Sequence, residues 1–312
     1  MASQRARELK AEGHDVIALS SGEPNFQPPA HVIEAAHAAM VAGQTKYTTM
    51  SGTAELKAAI VEKFRRENGL VYSPSEVMVS AGAKQVIFNA LMATVQEGVE
   101  VIIPAPFWIA YEQIVELAGG TPRVVACGAE AGFKLNAEQL ARNITPATRW
   151  LVLNSPSNPS GSVYTADELR ALADVLLEHP DVWVLTDDIY EHIIFDGRTA
   201  ATIAAVEPRL KERTVTVNGV SKTYAMTGFR IGYCGAPASM LSEMLKVQSQ
   251  STSGPSSVGQ AAALAALTGP QDVLAERARE FQERRDMVVY MLNQARGISC
   301  RSPEGAFDVY PN

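Results

Sequence analysis

Short apolar runs alternate with longer stretches in which apolar residues return every three or four positions, and the alternation continues along most of the chain. The runs at 16–19, 77–80, 100–103, 121–126, 148–153, 182–185, 214–217 and 233–235 read as strands. Helical spacing covers 5–12, 30–42, 52–68, 86–95, 109–117, a segment starting near Ala166, 238–246 and 273–295. In 30–42, for example, Val32, Ile33, Ala36, Ala39 and Met40 share a face, and 273–295 carries Glu276, Arg277, Arg279, Glu280, Glu283, Arg284 and Arg285 on faces expected to be exposed. Residues 247–257 are polar, with Gly254 and Pro255, and look like a linker. Strands followed by helices, with polar motifs at successive strand ends, predict an α/β fold. Its sheet is doubly wound and mixed, mostly parallel, with the ligand at the carboxyl edge.

Composition narrows the class. With 312 residues, 46% hydrophobic and 20% charged, the chain can bury a sizeable core as one large or two unequal domains. A net charge of −7 and the absence of a lysine–arginine run argue against nucleic acid or an anionic membrane as partner. Residues 1–10 are charged and hold no signal-peptide core, and no apolar run approaches the roughly 20 residues of a membrane span, so a cytoplasmic protein is expected. Cys127, Cys234 and Cys300 are odd in number and far apart, which fits buried thiols and neither a disulfide framework nor a zinc site. HExxH, GxSxG, P-loop and GxGxxG patterns are all missing.

The candidate chemistry gathers at strand ends. The run 214–217 stops at Asn218-Gly219, which puts Lys222 just past a strand in apolar surroundings, where a lysine loses its proton more easily and the neutral amine can attack a carbonyl. A lone lysine is more often a solvated charge. Here Gly228 is expected to allow close backbone approach, and Arg230 offers a planar guanidinium suited to a phosphate. An amine for an aldehyde and a fork for a phosphate describe pyridoxal phosphate. Gly82, Ala83 and Lys84 lie where a strand becomes a helix, which makes either an anion site or merely a tight helix–strand contact. Trp108, beyond the strand at 100–103, is a lid for a flat ring or a core residue. Asp187 and Tyr190, three apart at another strand end, could pair with a pyridinium nitrogen and a phenolic oxygen. An acid pair could instead bind a metal, but no histidine cluster accompanies it, so no metal is assigned. Asp188 and Glu191 read as loop charges.

The run Ser221-Lys222-Thr223-Tyr224-Ala225-Met226-Thr227-Gly228-Phe229-Arg230-Ile231-Gly232-Tyr233 closely resembles the lysine signature of class I aminotransferases of pyridoxal-phosphate fold type I. Gly22-Glu23-Pro24-Asn25-Phe26, Tyr47 to Gly52, Pro104 to Trp108 and Asn154 to Gly161 resemble further motifs of that family, in family order, and the proline–tryptophan motif is typical of its bacterial aspartate and aspartate–prephenate subgroup. One departure is Gly219, where many members carry a phosphate-binding serine.

The resemblance implies ping-pong transfer of an amino group, with aspartate and 2-oxoglutarate as the leading substrates. It implies Lys222 as anchor and base, and Asn158, with Tyr190, on the cofactor's phenolic oxygen. Trp108 would stack on the ring, Gly22 would lie against the substrate carboxylate, and Tyr47 would reach the phosphate of a partner subunit, hence a homodimer. For Asn158 a helix-capping turn is the competing local reading. The implied division is 1–29 as an N-terminal segment of the small domain, 30–270 as the large cofactor domain, and 271–312 as a joining helix and the start of the small domain, with a strand at 303–311. Relatives hold the substrate α-carboxylate with an arginine well beyond that strand. Arg296 and Arg301 precede it and are expected at the surface or between domains, so the chain reads as truncated and is expected to bind cofactor with little transaminase activity. Other amino donors (prephenate/glutamate, aromatic or alanine), a lyase of the same fold and a non-catalytic aminotransferase-like domain remain open. The last class carries a basic helix-turn-helix extension, which this acidic sequence lacks.

Overall fold

The computed structural model describes residues 2–17 and 22–312. Strands β1 (Val77–Ser80), β2 (Glu100–Ala105), β3 (Thr121–Ala126), β4 (Thr148–Asn154), β5 (Trp183–Asp187), β6 (Thr214–Gly219) and β7 (Gly232–Gly235) form one sheet in the order β1-β7-β6-β5-β4-β2-β3. The five strands from β3 across to β6 are parallel, whereas β7 runs antiparallel to both β6 and β1. The helices are α1 (Ala2–Ala11), α2 (Ala30–Val41), α3 (Ala54–Asn68), α4 (Ala83–Thr94), α5 (Ala110–Leu117), α6 (Ala137–Asn143), α7 (Ala166–Leu177), α8 (Ile203–Val206), α9 (Ala238–Ser251), α10 (Ser257–Thr268) and α11 (Asp272–Gln294). This is the pyridoxal-phosphate fold type I arrangement that the alternation of strands and helices, together with the resemblance, predicted.

The continuous apolar strands make sense once both faces are covered. Ile102, Leu151, Leu153 and Val184 point to α6 and α7, while Val101, Ile103, Trp150, Val152 and Leu185 point to α4, α5 and α9. A parallel sheet with helices on both sides leaves no polar face to alternate with. Beyond the β1 edge, α2, α3 and α10 pack with Val77, Val79 and Tyr233.

Several expectations are corrected. Residues 16–17 form no strand, and 18–19 lie outside the described residues. The stretch 247–257 is mostly not linker: α9 runs on through Ser251. Its polar Gln248 is buried because every bonding group is met. Nε2 donates to the Met50 and Val79 carbonyls at 2.6 and 2.9 Å, and Oε1 accepts from Ser80 Oγ and Asn89 Nδ2 at 2.5 and 2.9 Å. The segment 303–311 is no strand. It makes single bridges, Ile194 to Gly305 and Cys300 to Pro311, and Ala306 has a positive φ that interrupts extended backbone. Arg277 and Arg285 of α11 are buried, not exposed: Arg285 holds Asp196 with two bonds of 2.7 and 2.8 Å, and Arg277 reaches the Thr223 and Gln27 carbonyls.

Candidate active site

The carboxyl ends of the parallel strands line up. In register, Asn154 of β4 pairs with Asp187 of β5, which pairs with Val217 of β6, so the segments that follow open onto one edge of the sheet. A cavity of about 370 Å³ lies there. Its walls include Gly22, Ala83, Lys84, Trp108, Asn158, Asp187, Tyr190, Lys222 and Arg230, which brings nearly all of the sequence candidates together.

A chain of hydrogen bonds fixes the floor. Asn154 Nδ2 donates to the Asp187 carbonyl at 2.7 Å, its Oδ1 accepts from the Asn158 amide at 2.7 Å, and Asn158 Nδ2 donates to the Tyr190 hydroxyl at 3.2 Å. The helix-cap reading of Asn158 is excluded, since Thr165 caps α7 in a capping box with Glu168. Asp187 is fully buried. Tyr111, three residues after Trp108 on the first turns of α5, donates to its Oδ2 at 2.7 Å, and Oδ1 is buried with no partner. Burial lifts this carboxyl to about 6, against the hydrogen bonds from Tyr111 and the Ile189 amide and the charge of Lys222, which pull it down.

Lys222 Nζ donates to the Gly22 carbonyl at 2.6 Å and sits 5.8 and 5.4 Å from the ring centres of Tyr190 and Phe307. Burial draws its basicity below that of an ordinary lysine, with Arg230 acting in the same direction and Asp308, Glu23 and Asp187 opposing. The 22–23 segment is also tied to the lysine loop by Thr227 Oγ1, which donates to Glu23 at 2.6 Å.

On the far side, register places Gly219 opposite Gly232 and Ser80 opposite Gly232, so the β6–β7 connection comes back against the turn that starts α4. Gly82 has φ 95°, and a Cβ there would collide with the Arg230 guanidinium. A Cβ on Gly232 would collide with the Ala83 backbone nitrogen. These are the close approaches. Gly228, expected to be one, is not: a Cβ there would meet nothing within 4 Å. Arg230 is itself left-handed, at φ 56°, with its guanidinium donating to the Thr227 carbonyl at 2.9 Å. The first amides of α4 have no partner within the helix, and the guanidinium stands beside them. Lys84 Nζ lies 4.6 Å from the Trp108 ring centre.

The chain matches the family model "Aminotransferase class I and II" over residues 14–312. The chain belongs to that family. It is 56% identical to an aspartate/prephenate aminotransferase of Cereibacter sphaeroides over 99% of its own length and 78% of that protein. The crystal structure of the aspartate aminotransferase from Rhizobium meliloti superposes with a TM-score of 0.97 at 55% identity, covering 100% of this chain and 78% of that one. The aspartate aminotransferase from Thermus thermophilus with maleate gives 0.92 at 42% identity, covering 98% and 79%. The chain is an aminotransferase that depends on pyridoxal phosphate.

The cavity fits that cofactor on its own terms. The orphaned Asp187 Oδ1 offers a partner to a protonated ring nitrogen, the lysine amine stands in the same cavity, and the glycine at 82 leaves the room beside Arg230 that a side chain would fill. One expectation is revised around the site, while Arg296 and Arg301 lie where they were expected. Asp188 and Glu191 are buried rather than loop charges. Asp188 accepts from Thr186 Oγ1 at 2.6 Å, and burial raises it to about 7. Arg301 reaches toward the Ala129 carbonyl and Glu304, Arg296 is exposed, and neither lines the cavity. Sequence reasoning missed Tyr111, Asn154 and Phe307. The helical offset from Trp108 was a usable signal for Tyr111, while Phe307 depends on a distant packing contact.

Proposed function

We propose that the chain moves the amino group of L-aspartate to 2-oxoglutarate in two half-reactions, as a cytoplasmic homodimer serving amino-acid biosynthesis. One observation carries the site reading: a buried, unpartnered carboxylate oxygen on Asp187 and the weakened amine of Lys222 line one cavity. Lys222 would hold the cofactor's aldehyde carbon, Asp187 its ring nitrogen, and Asn158 and Tyr190 its phenolic oxygen. Trp108 would cover one ring face, and Arg230 with the first amides of α4, those of Ala83 and Lys84, would bind the phosphate, Gly82 giving them room while its own amide donates to the Ser80 carbonyl at 2.7 Å. When bound, the cofactor supplies a ring that withdraws electrons and so stabilises negative charge at the substrate Cα.

The side chains do the rest. Asp187, ionised, would hold a proton on the ring nitrogen. Lys222 Nζ, the amine the substrate's amino group would replace, would take up and return the Cα proton, and burial shifts it toward the neutral form that both roles use. Gly22 would border the substrate carboxylate. With Arg230 on the phosphate and Lys222 on the cofactor, Lys84 remains on the cavity wall as a cation that favours an acidic substrate. Tyr47 stands 97% exposed on a loop held by Gln260, which donates to Thr48, and by Ser257, which donates to the Gln44 carbonyl. A rigid loop presenting a free tyrosine supports its reaching a partner's phosphate. We further assign 1–29 and 271–312 to a small domain and 30–270 to the large one.

The test uses the cofactor-loaded chain. Borohydride reduction and peptide mapping should label Lys222, and aspartate should bleach the cofactor's visible band while 2-oxoglutarate restores it. Label on another lysine refutes the anchor. Products that form from aspartate equally with and without 2-oxoglutarate would make the chain a lyase.

A further inference from the structure

Behind the lysine loop lies a group of charges that no step above employs, with a buried pair, Lys63 and Glu191, at its centre and Glu67 and His192 toward the surface. Lys63 of α3 is 1% exposed, and its ammonium is in contact with Glu191, lies 2.8 Å from Asn68 Oδ1 and lies 3.6 Å from Glu67. Glu191 also accepts from Asn68 at 2.5 Å and from Asn218 at 2.7 Å. His192 bridges outward: Nε2 lies 3.0 Å from Glu67, and Nδ1 lies 3.3 Å from Thr223 Oγ1. Glu67, Glu191 and His192 lie close enough to hold a metal ion, but the Lys63 ammonium already supplies the cation among them. Burial alone would raise both acids. The charges of Lys63 and His192 and the hydrogen bonds outweigh it, so both carboxyls are held below their usual range.

The attachment points of this cluster give it a purpose. Asn218 lies four residues before Lys222 and Thr223 one residue after it, so the turn carrying the amine is gripped on both flanks. Glu191 directly follows Tyr190 in the chain. We propose that Lys63, Glu67, Glu191 and His192 are positioning residues: through one shared anchor they fix the Lys222 amine relative to the Tyr190 hydroxyl. The proposal rests on the assignment of Lys222 as the cofactor's attachment point. The buried Lys63–Glu191 pair suits this task because either member loses much if displaced, whereas apolar packing would let the turn slide.

The test compares wild-type, Glu191→Gln, His192→Gln and Thr223→Val chains. Thr223→Val breaks only the last link and should fold even if the charge variants do not. Two readouts besides turnover apply: the pH midpoint of the visible band of cofactor bonded to the chain, and the rate at which cofactor-free protein captures pyridoxal phosphate. The expected result is a shifted midpoint in every folded variant and capture slowed by roughly tenfold or more, as displacement of a reacting group entails. Lower melting temperatures with wild-type midpoints and capture rates would reduce the cluster to a structural one and overturn the proposal. Reduction and mapping of the wild-type chain separates the two failures: label away from Lys222 overturns the site assignment and the inference with it, whereas label on Lys222 with unshifted variants overturns the inference alone.

Discussion

Asp187 and Asp188 are adjacent, both buried, and raised by that burial to about 6 and about 7. A carboxyl raised in the folded state is favoured there in its protonated form. Its contribution to stability is therefore whole below the ordinary value of 3.8 and is lost as pH climbs through 6 and 7. The cofactor-free chain should accordingly melt at progressively lower temperature as pH rises across that interval. Asp188→Asn should flatten part of the slope, and saturating cofactor should restore stability at the upper end by giving Asp187 a cationic partner. A melting temperature independent of pH across the interval would contradict this. Glu67, held low at about 2, acts in the opposite sense and only in more acidic solution. On activity, Asp187→Asn should keep cofactor yet lose two or more orders of magnitude in the half-reaction with aspartate. Tyr111→Phe, which leaves the carboxylate with one donor fewer, should fall between that variant and wild type when single-turnover rates are compared. Asp187, Tyr190 and Lys222 were legible in the sequence because each sits just past an apolar run. The burial of Glu191 was not, because its partner Lys63 stands 128 positions away and a charge reveals its depth only through its partner.

Among elements, strands were the easiest to read. The central strands are built around apolar runs, as a parallel sheet covered on both faces demands, whereas the edge strand β3 begins Thr121-Pro122-Arg123 and is largely exposed. What escaped was polar structure made internal by its bonding. α9 extends past the expected end because Gln248 satisfies two carbonyls, a hydroxyl and an amide from three other segments. Gln248→Leu should strand those groups and cost about 3 kcal/mol in chemical denaturation, from unmet buried polar groups. A loss under about 0.5 kcal/mol, the size of an ordinary surface change, would show that water replaces the amide. The segment 303–311 erred in the other direction. The family resemblance implied a strand there, but Pro303 and the left-handed Ala306 direct it instead to place Phe307 beside Tyr190 and Lys222. Gly232→Ala, which drives a methyl into the Ala83 backbone, should weaken both the sheet edge and retention of the cofactor phosphate, measurable as faster cofactor loss on dilution.

At the scale of the whole molecule, the exposed Tyr47 argues for sites completed between two copies. Mixing Tyr47→Ala and Lys222→Ala chains should regain activity in heterodimers, since one of the two sites then holds both intact groups; heterodimers that form and remain inactive would disprove the shared site. The order of the sheet has a consequence for biosynthesis. Among the strands β1 pairs only with β7, roughly 150 residues later in the chain, and β7 is also what brings Arg230 back to the turn at Gly82. During synthesis the first strand therefore waits with one edge open while five others are made. Arg230 meets the Gly82 turn only when that late hairpin is inserted between β1 and β5. A nascent chain can present Asp187 and Asn158 before Arg230 meets Gly82, so if that meeting seats the phosphate as proposed, cofactor capture waits for β7, and chains cut short of it expose an unpaired edge for chaperones or proteases to recognise.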